Sequence, residues 1–327
     1  STGGGGFWST LTGRNSSKSI DKESEEMVAQ SSGWRRGGGV CCPSSSMHFF
    51  QAHKSDINDL SFCKSEGREI CVTASSDNTV KMWDSRSGQG VGTLRASAPV
   101  MSVAARNGIV VGGTTDSQAL VWVTRTQRTR HKMTGHRGKI MSVEFSTDSR
   151  NVVTSSTDRT VKVWDINTGK CTGTLHCPSE CTSAVFTMDG STIVTSHKDS
   201  GLRFWDFRTR AMQQEIKNIH RACITCIQIS PSGSGASRLM TSSMDNSLAL
   251  IDGRTFMRIS TFRDLKFRTG SVNSKVCFSP KAGYIAAGGS TGSVFVWDTS
   301  DSKKAPQQLD GHSACVTACS WGSRTLG

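Results

Sequence analysis

Apolar and polar residues alternate in short runs from about residue 47 to the end of the chain. The run "TVKVWD" at 160–165 has a period of two, the pattern of a half-buried strand. The longer stretch 154–170, "TSSTDRTVKVWDINTGK", also carries Asp158, Trp164 and Asp165, from which a plain strand gains nothing. Near-copies run "TASSDNTVKMWDSRSGQ", "GGTTDSQALVWVTRTQR", "TSHKDSGLRFWDFRTRA", "TSSMDNSLALIDGRTFM" and "AGGSTGSVFVWDTSDSK". Their anchors are Trp83, Trp122, Trp164, Trp205, Ile251 and Trp297, spaced by 39, 42, 41, 46 and 46 residues. Six positions before each anchor stand Asp77, Asp116, Asp158, Asp199, Asp245 and finally Thr291.

A period near forty that ends in Trp-Asp is the signature of a WD-repeat β-propeller, and six copies in register carry it. Each repeat divides into strands. The first uses "DINDLSF", "REICVTAS" and "TVKMWD", the third "IMSVEFS", "NVVTSS" and "TVKVWD", with Gly, Asn, Asp and Ser at the turns. The predicted fold is all-β: a propeller of the seven-bladed type with six complete blades and an incomplete seventh. That seventh begins at "DGHSACVTACSW", and "MHFF" at 47–50 is expected to supply its outer strand. Residues 1–46, rich in Gly and Ser, read as a flexible segment, and 47–327 as the propeller. Ser1 in place of an initiator Met points to a fragment or a processed chain.

No run of eighteen apolar residues is present, and no charged-then-apolar signal segment opens the chain. Of the twelve cysteines Cys41 and Cys42 are adjacent and most others fall singly into predicted strands, not into a disulfide framework, so they read as reduced core residues of a cytoplasmic protein. Cys223 and Cys226 form C-x-x-C, but "ACITCIQI" alternates as a strand and sends them to opposite faces, so no shared metal is expected there. The chain carries +13, and since residues 1–46 hold five basic and four acidic side chains, the propeller itself carries +12. Such a surface attracts acidic partners.

The repeated Asp and Trp have a structural use. A His before the first strand, a hydroxyl on the second, the turn Asp and the Trp can form a buried hydrogen-bond chain, because indole only donates, carboxylate only accepts and neutral imidazole does both. Blade one offers His53, Ser75, Asp77 and Trp83, and blade three His136, Ser156, Asp158 and Trp164. Blade four is expected to use His176 with Asp199 and Trp205. In blade five, Ile251 ends the chain early. A His, Ser and Asp set copied from blade to blade is no catalytic triad, and no G-x-S-x-G, H-E-x-x-H or phosphate-cradling loop appears. No enzymatic activity, cofactor or metal is expected.

The segments "RTRHKMTGHRGKIMSVEFSTDSRNVVTSSTDRTVKVWD", "TSHKDSGLRFWDFRT" and "ISTFRDLKFRTGSVNSKVCFSPKAGYIAAGGSTGSVFVWD" resemble the C-terminal propeller of the autophagy protein sixteen-like family. Ile251-Asp252 matches the family's degenerate fifth repeat, and Phe267 to Ser271 its Phe-x-x-Gly-Ser insertion. The resemblance covers about 47–321. It implies a non-enzymatic scaffold that helps direct lipidation of ubiquitin-like Atg eight proteins to membranes. The implied protein partners are the conjugation machinery, and oligomerisation lies in a coiled coil upstream, which residues 1–46 do not show.

Two alternatives compete. Trp83 to Arg86 and Trp205 to Arg208 match the W-D-x-R box of cullin-type ubiquitin-ligase adaptors, which makes Arg86 and Arg208 candidate contacts. The run Arg125, Arg128, Arg130, His131, Lys132, Arg137 and Lys139 would suit an RNA-associated propeller. With one Tyr in the chain and no aromatic interleaved, however, stacking is missing and nucleic acid is not expected. Arg128, Arg130 and Lys132, with Lys170 nearby, are read instead as contacts for an acidic partner or an anionic membrane surface.

Overall fold

The structure, a computed structural model, describes residues 8–11, 51–65, 67–231 and 238–322. Among them every regular element is a strand, and six four-stranded antiparallel sheets follow one another along the chain. Blade one comprises Ile57–Ser65, Arg68–Ser75, Thr79–Asp84 and Gly90–Arg95. Blade two runs from Val100–Arg106 through Ile109–Thr114 and Gln118–Val123 to Arg128–Thr134. Blade three holds Ile140–Phe145, Asn151–Ser156, Thr160–Asp165 and Cys171–His176. Blade four holds Cys181–Phe186, Thr192–His197, Leu202–Asp206 and Met212–Ile216. Blade five holds Ile224–Ile229, Arg238–Ser243, Ser247–Asp252 and Arg258–Phe262. Blade six holds Val276–Phe278, Tyr284–Gly288, Val294–Asp298 and Gln307–Leu309.

The strand period explains the core. Between blades one and two, Val72, Met82 and Leu94 meet Val100, Val110, Leu120 and Trp122. Between blades three and four, Val153, Val163 and Leu175 meet Cys181, Phe186, Ile193 and Trp205. A blade is one sheet thick, so each buries its faces only against its neighbours.

Side chains also clasp one blade to the next. In the first five blades the inner strand has an irregular register two residues from its start, at Ile57/Asp59, Val100/Ser102, Ile140/Ser142, Cys181/Ser183 and Ile224/Cys226. Such a bulge re-aims a side chain. Asp59 accepts from the Val103 N–H of blade two at 3.0 Å. Ser102 accepts from the Val143 N–H of blade three at 3.2 Å, and Ser142 from the Ala184 N–H of blade four at 3.0 Å. Thr182 of blade four donates to the Ile224 carbonyl of blade five at 2.6 Å, and Gln228 of blade five accepts from the Phe278 N–H of blade six at 2.6 Å. Each of these runs from a side chain to the backbone of the following blade.

The seventh position departs from the sequence expectation. Six blades are present, and in place of an incomplete seventh closed by "MHFF" there is a two-stranded sheet, Ala318–Trp321 paired antiparallel with Trp8–Leu11. Residues 47–50 lie outside the described residues. The extra strand is wedged at the seam: Ala318 packs with Leu60 and Cys71 of blade one, while Cys319 and Trp321 pack with Cys277, Ala286 and Val296 of blade six. An unpaired strand there would leave a row of open N–H and C=O groups. Pairing with Trp8–Leu11, inside the segment read as linker, occupies one edge. Thr317 then donates to the Ile57 carbonyl and repeats the forward clasp across the seam.

Replacing Thr317 with Val should remove that clasp at nearly constant volume. We expect a loss of about 1 kcal/mol, with amide exchange rising first in Ile57–Ser65 and Ala318–Trp321. Equal protection of these strands in the variant and in a Lys303→Ala control would show that the seam is held by packing alone.

Candidate functional site

Trp83 lies opposite Cys71, and Trp164 opposite Val152. The diagonal neighbour two residues along is therefore Thr73 or Thr154, at about 7–8 Å between backbones. The Trp83 indole N–H donates to the Thr73 hydroxyl at 3.0 Å, and Trp164 to Thr154 at 2.9 Å. His53 Nε2 lies 2.8 Å from the Thr73 hydroxyl, and His136 Nε2 2.7 Å from that of Thr154. His53 Nδ1 meets Asp77 at 2.9 Å, and His136 Nδ1 meets Asp158 at 2.9 Å. The expected chains exist, but Ser75 and Ser156 are not their hydroxyls. Each sits four residues from the Trp partner, about 13 Å along the strand. Ser75 and Ser156 instead accept the N–H of Asp77 and Asp158 at the turn.

Burial raises the Asp77 and Asp158 carboxyls, but hydrogen bonds outweigh it and lower both to about 2. In Asp77 the donors are Thr79, His53 and the Lys54 N–H; in Asp158 they are Thr160, the Arg137 N–H and His136. Burial lowers both imidazoles against the pull of those carboxylates, so each is neutral. Neutral imidazole gives its Nδ1–H to Asp, Nε2 accepts the threonine O–H, and the threonine oxygen accepts the indole. Thr73 and Thr154 are fully buried and saturated by this chain, so neither offers a nucleophile. Asp77 and Asp158 also accept the N–H two residues on, Thr79 and Thr160. That pins a turn whose middle residue is left-handed, Asn78 at φ 64 and Arg159 at φ 64.

The other blades vary this scheme. Blade two has Gly112 at the hydroxyl position, and a Cβ there would lie 2.9 Å from the Trp122 ring. Blade four does not use His176, which is exposed on the outer strand. Its imidazole is His197, beside Thr195 at 2.8 Å, and Thr195 takes the Trp205 N–H at 2.9 Å. Asp199 turns instead to the buried Arg203 at 2.7 Å, which Glu215 also holds at 2.7 Å. Blade five keeps His220, Thr241 and Ser247 without an indole. Blade six has Ala287 opposite the Trp297 diagonal, and the Trp297 N–H is buried without a partner. Thr291 replaces its turn Asp, and Gly292 takes the left-handed position at φ 88.

The basic residues gather on the rim. Arg128, Arg130 and Lys132 are all exposed on the outer strand of blade two, where a register shift at Arg130 turns Arg128 and Lys132 to opposite faces, while Met133 is buried. His131 Nε2 lies 2.9 Å from the Asn167 carbonyl, which docks the exposed blade-three turn carrying Lys170 onto the same strand. The structure thus brings all four cations to one stretch of rim. Cations on an edge strand also keep it from pairing with another chain. Arg86 and Arg208 are exposed on equivalent turns of blades one and four, where Asp84 and Asp206 accept their N–H groups at 2.8 Å. Two blades lie between them, so they form no joint site.

Sequence reading missed the charges on the inner strands. Glu144 of blade three has an exposed side chain on the inner strand, and the surrounding protein and the Asp59 charge raise its carboxyl, against Lys275 and Arg106. Lys275 stands 3.7 Å from Asp59. The inner-strand alternation was a usable signal, since "IMSVEFS" places Glu144 opposite in sense to Val143 and Phe145. Of the C-x-x-C, Cys226 is buried in the inner strand of blade five and Cys223 stands half-buried just before it. The insertion is a strut, with Phe267 edge-on to Trp297 at 5.1 Å and Thr269 bonded to the Ser243 carbonyl at 2.8 Å.

The family model described as WD domain, G-beta repeat matches residues 44–84, 127–165, 169–206 and 263–298. The stretches it passes over hold most of blades two and five, where Val123 and Ile251 break the Trp-Asp pair. The chain is 36% identical to Protein tipD of Dictyostelium discoideum over 285 residues, 85% of this chain and 46% of that protein. It is 33% identical to Autophagy-related protein 16 of Arabidopsis thaliana over 283 residues, 85% of this chain and 54% of that protein. It is 33% identical to the DENN domain and WD repeat-containing protein SCD1 of Arabidopsis thaliana over 127 residues, 38% of this chain and 10% of that protein. The chain thus spans about half the length of the first two.

Thr154→Val should leave the Trp164 N–H and His136 Nε2 unpaired and cost about 1–3 kcal/mol, whereas Ser156→Ala should cost less. Denaturant unfolding of the two variants decides which hydroxyl closes the chain.

A pH dependence follows from His197. Burial, then the Arg203 charge, holds its imidazole at about 4. The unfolded imidazole titrates near 6.5 and takes up its proton first as pH falls, so the native state keeps full stability above about 6.5 and loses about 3 kcal/mol down to about pH 4. Asp77 and Asp158 stay ionised through that window. A His197→Asn protein should flatten the fall in unfolding midpoint between pH 7 and 4.5; an unchanged slope would exclude His197 as its source.

Proposed function

From a chain that is a WD40-repeat β-propeller, similar over 85% of its length to Autophagy-related protein 16, we propose a membrane-directed scaffold in autophagy. In this reading the propeller is the interaction module of a non-enzymatic protein that helps bring lipidation of a ubiquitin-like protein to its membrane. The length of the alignment carries the reading. A match to generic repeats covers a few blades, as with SCD1 at 38%, whereas one over 85% must include the degenerate blades as well.

The rim supports the membrane part. Arg128, Arg130 and Lys132 are exposed along one outer edge strand, and Lys170 joins them on the adjacent turn. Each cation near an anionic lipid surface contributes about 1 kcal/mol, and the attraction dies within a Debye length of about 8 Å at physiological salt. Four cations on one stretch give useful but reversible adhesion. The partner is an anionic bilayer, approached by the side of the ring rather than by its channel.

The test is flotation with phosphatidylserine-containing liposomes at low and physiological salt. The triple variant Arg128→Glu, Arg130→Glu, Lys132→Glu should bind about 100-fold more weakly than wild type at low salt. Retained flotation would leave these cations as an edge-protecting row. Lost binding to an acidic protein with unchanged flotation would assign the rim to a protein partner instead.

A further inference from the structure

Blade four departs from the other blades in one respect that the hydrogen-bond scheme leaves unused. Its imidazole sits on the second strand, and two cysteines come to meet it. Cys181 and His197 are direct cross-strand partners, a pairing that brings Cβ atoms within about 4.5–5.5 Å. Cys181 Sγ lies 3.5 Å from His197 Nδ1. Cys177 ends the link from blade three, and the Cys-Pro-Ser-Glu turn folds it back. The donor atoms of Cys177, Cys181 and His197 all lie within 4.8 Å of one another, and all three residues are buried. The Ser179 carbonyl of that turn stands 3.3 Å from His197 Nδ1 and 3.8 Å from Cys181 Sγ.

We propose that Cys177, Cys181, His197 Nδ1 and the Ser179 carbonyl form a binding site for a thiophilic divalent cation of the zinc type. Tetrahedral zinc, bonded at about 2.3 Å to sulfur and about 2.0–2.1 Å to nitrogen and oxygen, sets sulfur–nitrogen and sulfur–oxygen edges of about 3.6 Å and a nitrogen–oxygen edge of about 3.4 Å. The three edges seen are 3.5, 3.8 and 3.3 Å. Two sulfurs and an imidazole are the ligand set that selects zinc over magnesium or calcium.

The surroundings complete the site. A ligating imidazole needs an acceptor for its other N–H, and Thr195 stands 2.8 Å from His197 Nε2. With Nε2–H donating to Thr195, the Thr195 hydroxyl turns to the Arg203 carbonyl at 3.3 Å and still accepts the Trp205 indole. Nδ1 is then a bare lone pair, freed without moving a heavy atom. Binding deprotonates both thiols: M²⁺ and two Cys–SH give a neutral bis-thiolate centre and two protons. That neutral centre leaves Arg203 to its own partners, Asp199 and Glu215.

The experiment is a Co²⁺ titration of the reduced chain, followed by Zn²⁺ displacement. One equivalent should give thiolate-to-cobalt charge transfer and intense tetrahedral d–d bands, and zinc should abolish both. The bands should vanish in Cys181→Ser and Cys177→Ser and persist in Cys171→Ser, whose thiol is exposed and outside the cluster. Circular dichroism checks that each variant is folded. Independently of any variant, X-ray absorption of the wild-type zinc form should show two sulfurs and an imidazole. No tetrahedral cobalt spectrum in wild type, or a spectrum unchanged by both variants, overturns the site.

Discussion

A threonine hydroxyl in the middle of the second strand is the pivot of blades one, three, four and, without an indole, five. It sits where the strand register puts the diagonal neighbour of the Trp, and it joins two groups that cannot bond each other directly: an indole that only donates, and an imidazole whose free nitrogen only accepts. Through it, third strand, second strand, entering loop and turn become one object. Thr73 and Thr154 do this with all four members in place. Where the hydroxyl is lost, the blade compensates through shape: Gly112 yields its space to Trp122, and Phe267 packs edge-on against Trp297.

With the blades rigid, function falls to surfaces that play no part in holding them. The turn Asp residues are consumed by N–H groups, and the His–Asp pairs by threonine. The rim of blade two is different. Its outer strand shows the core only Met133 and the blade-three turn only His131, which leaves Arg128, Arg130 and Lys132 to solvent. The buried Met133 and the exposed cations thus sit side by side within the same seven residues.

The period of the Trp-Asp ends revealed the propeller, the strand runs and the blade order, because those depend on spacing alone. The choice of Thr73 over Ser75 was not legible, since both lie on the same strand face and only the pairing register separates them. His197 was missed for a related reason. The expected His stood before the inner strand, so the eye went to His176, while the imidazole that reaches Thr195 came from within the second strand. The pairing of Trp8–Leu11 with Ala318–Trp321 joins chain segments about three hundred residues apart, which no local pattern encodes.

The forward sense of the clasps has a consequence for assembly. Blades one to five each offer a side chain ahead, and Thr317 offers one to blade one, so faces parted at these junctions remain complementary, as in a head-to-tail polymer. Inside one chain the rotation closes and the polymer is a ring. If the seam at Thr317 and Ile57 parts, the same two faces are presented by every copy, and a heterologous contact between molecules becomes available in place of the internal one. A single side-chain bond at the seam therefore helps to keep this protein a closed ring rather than the repeating unit of an open fibre.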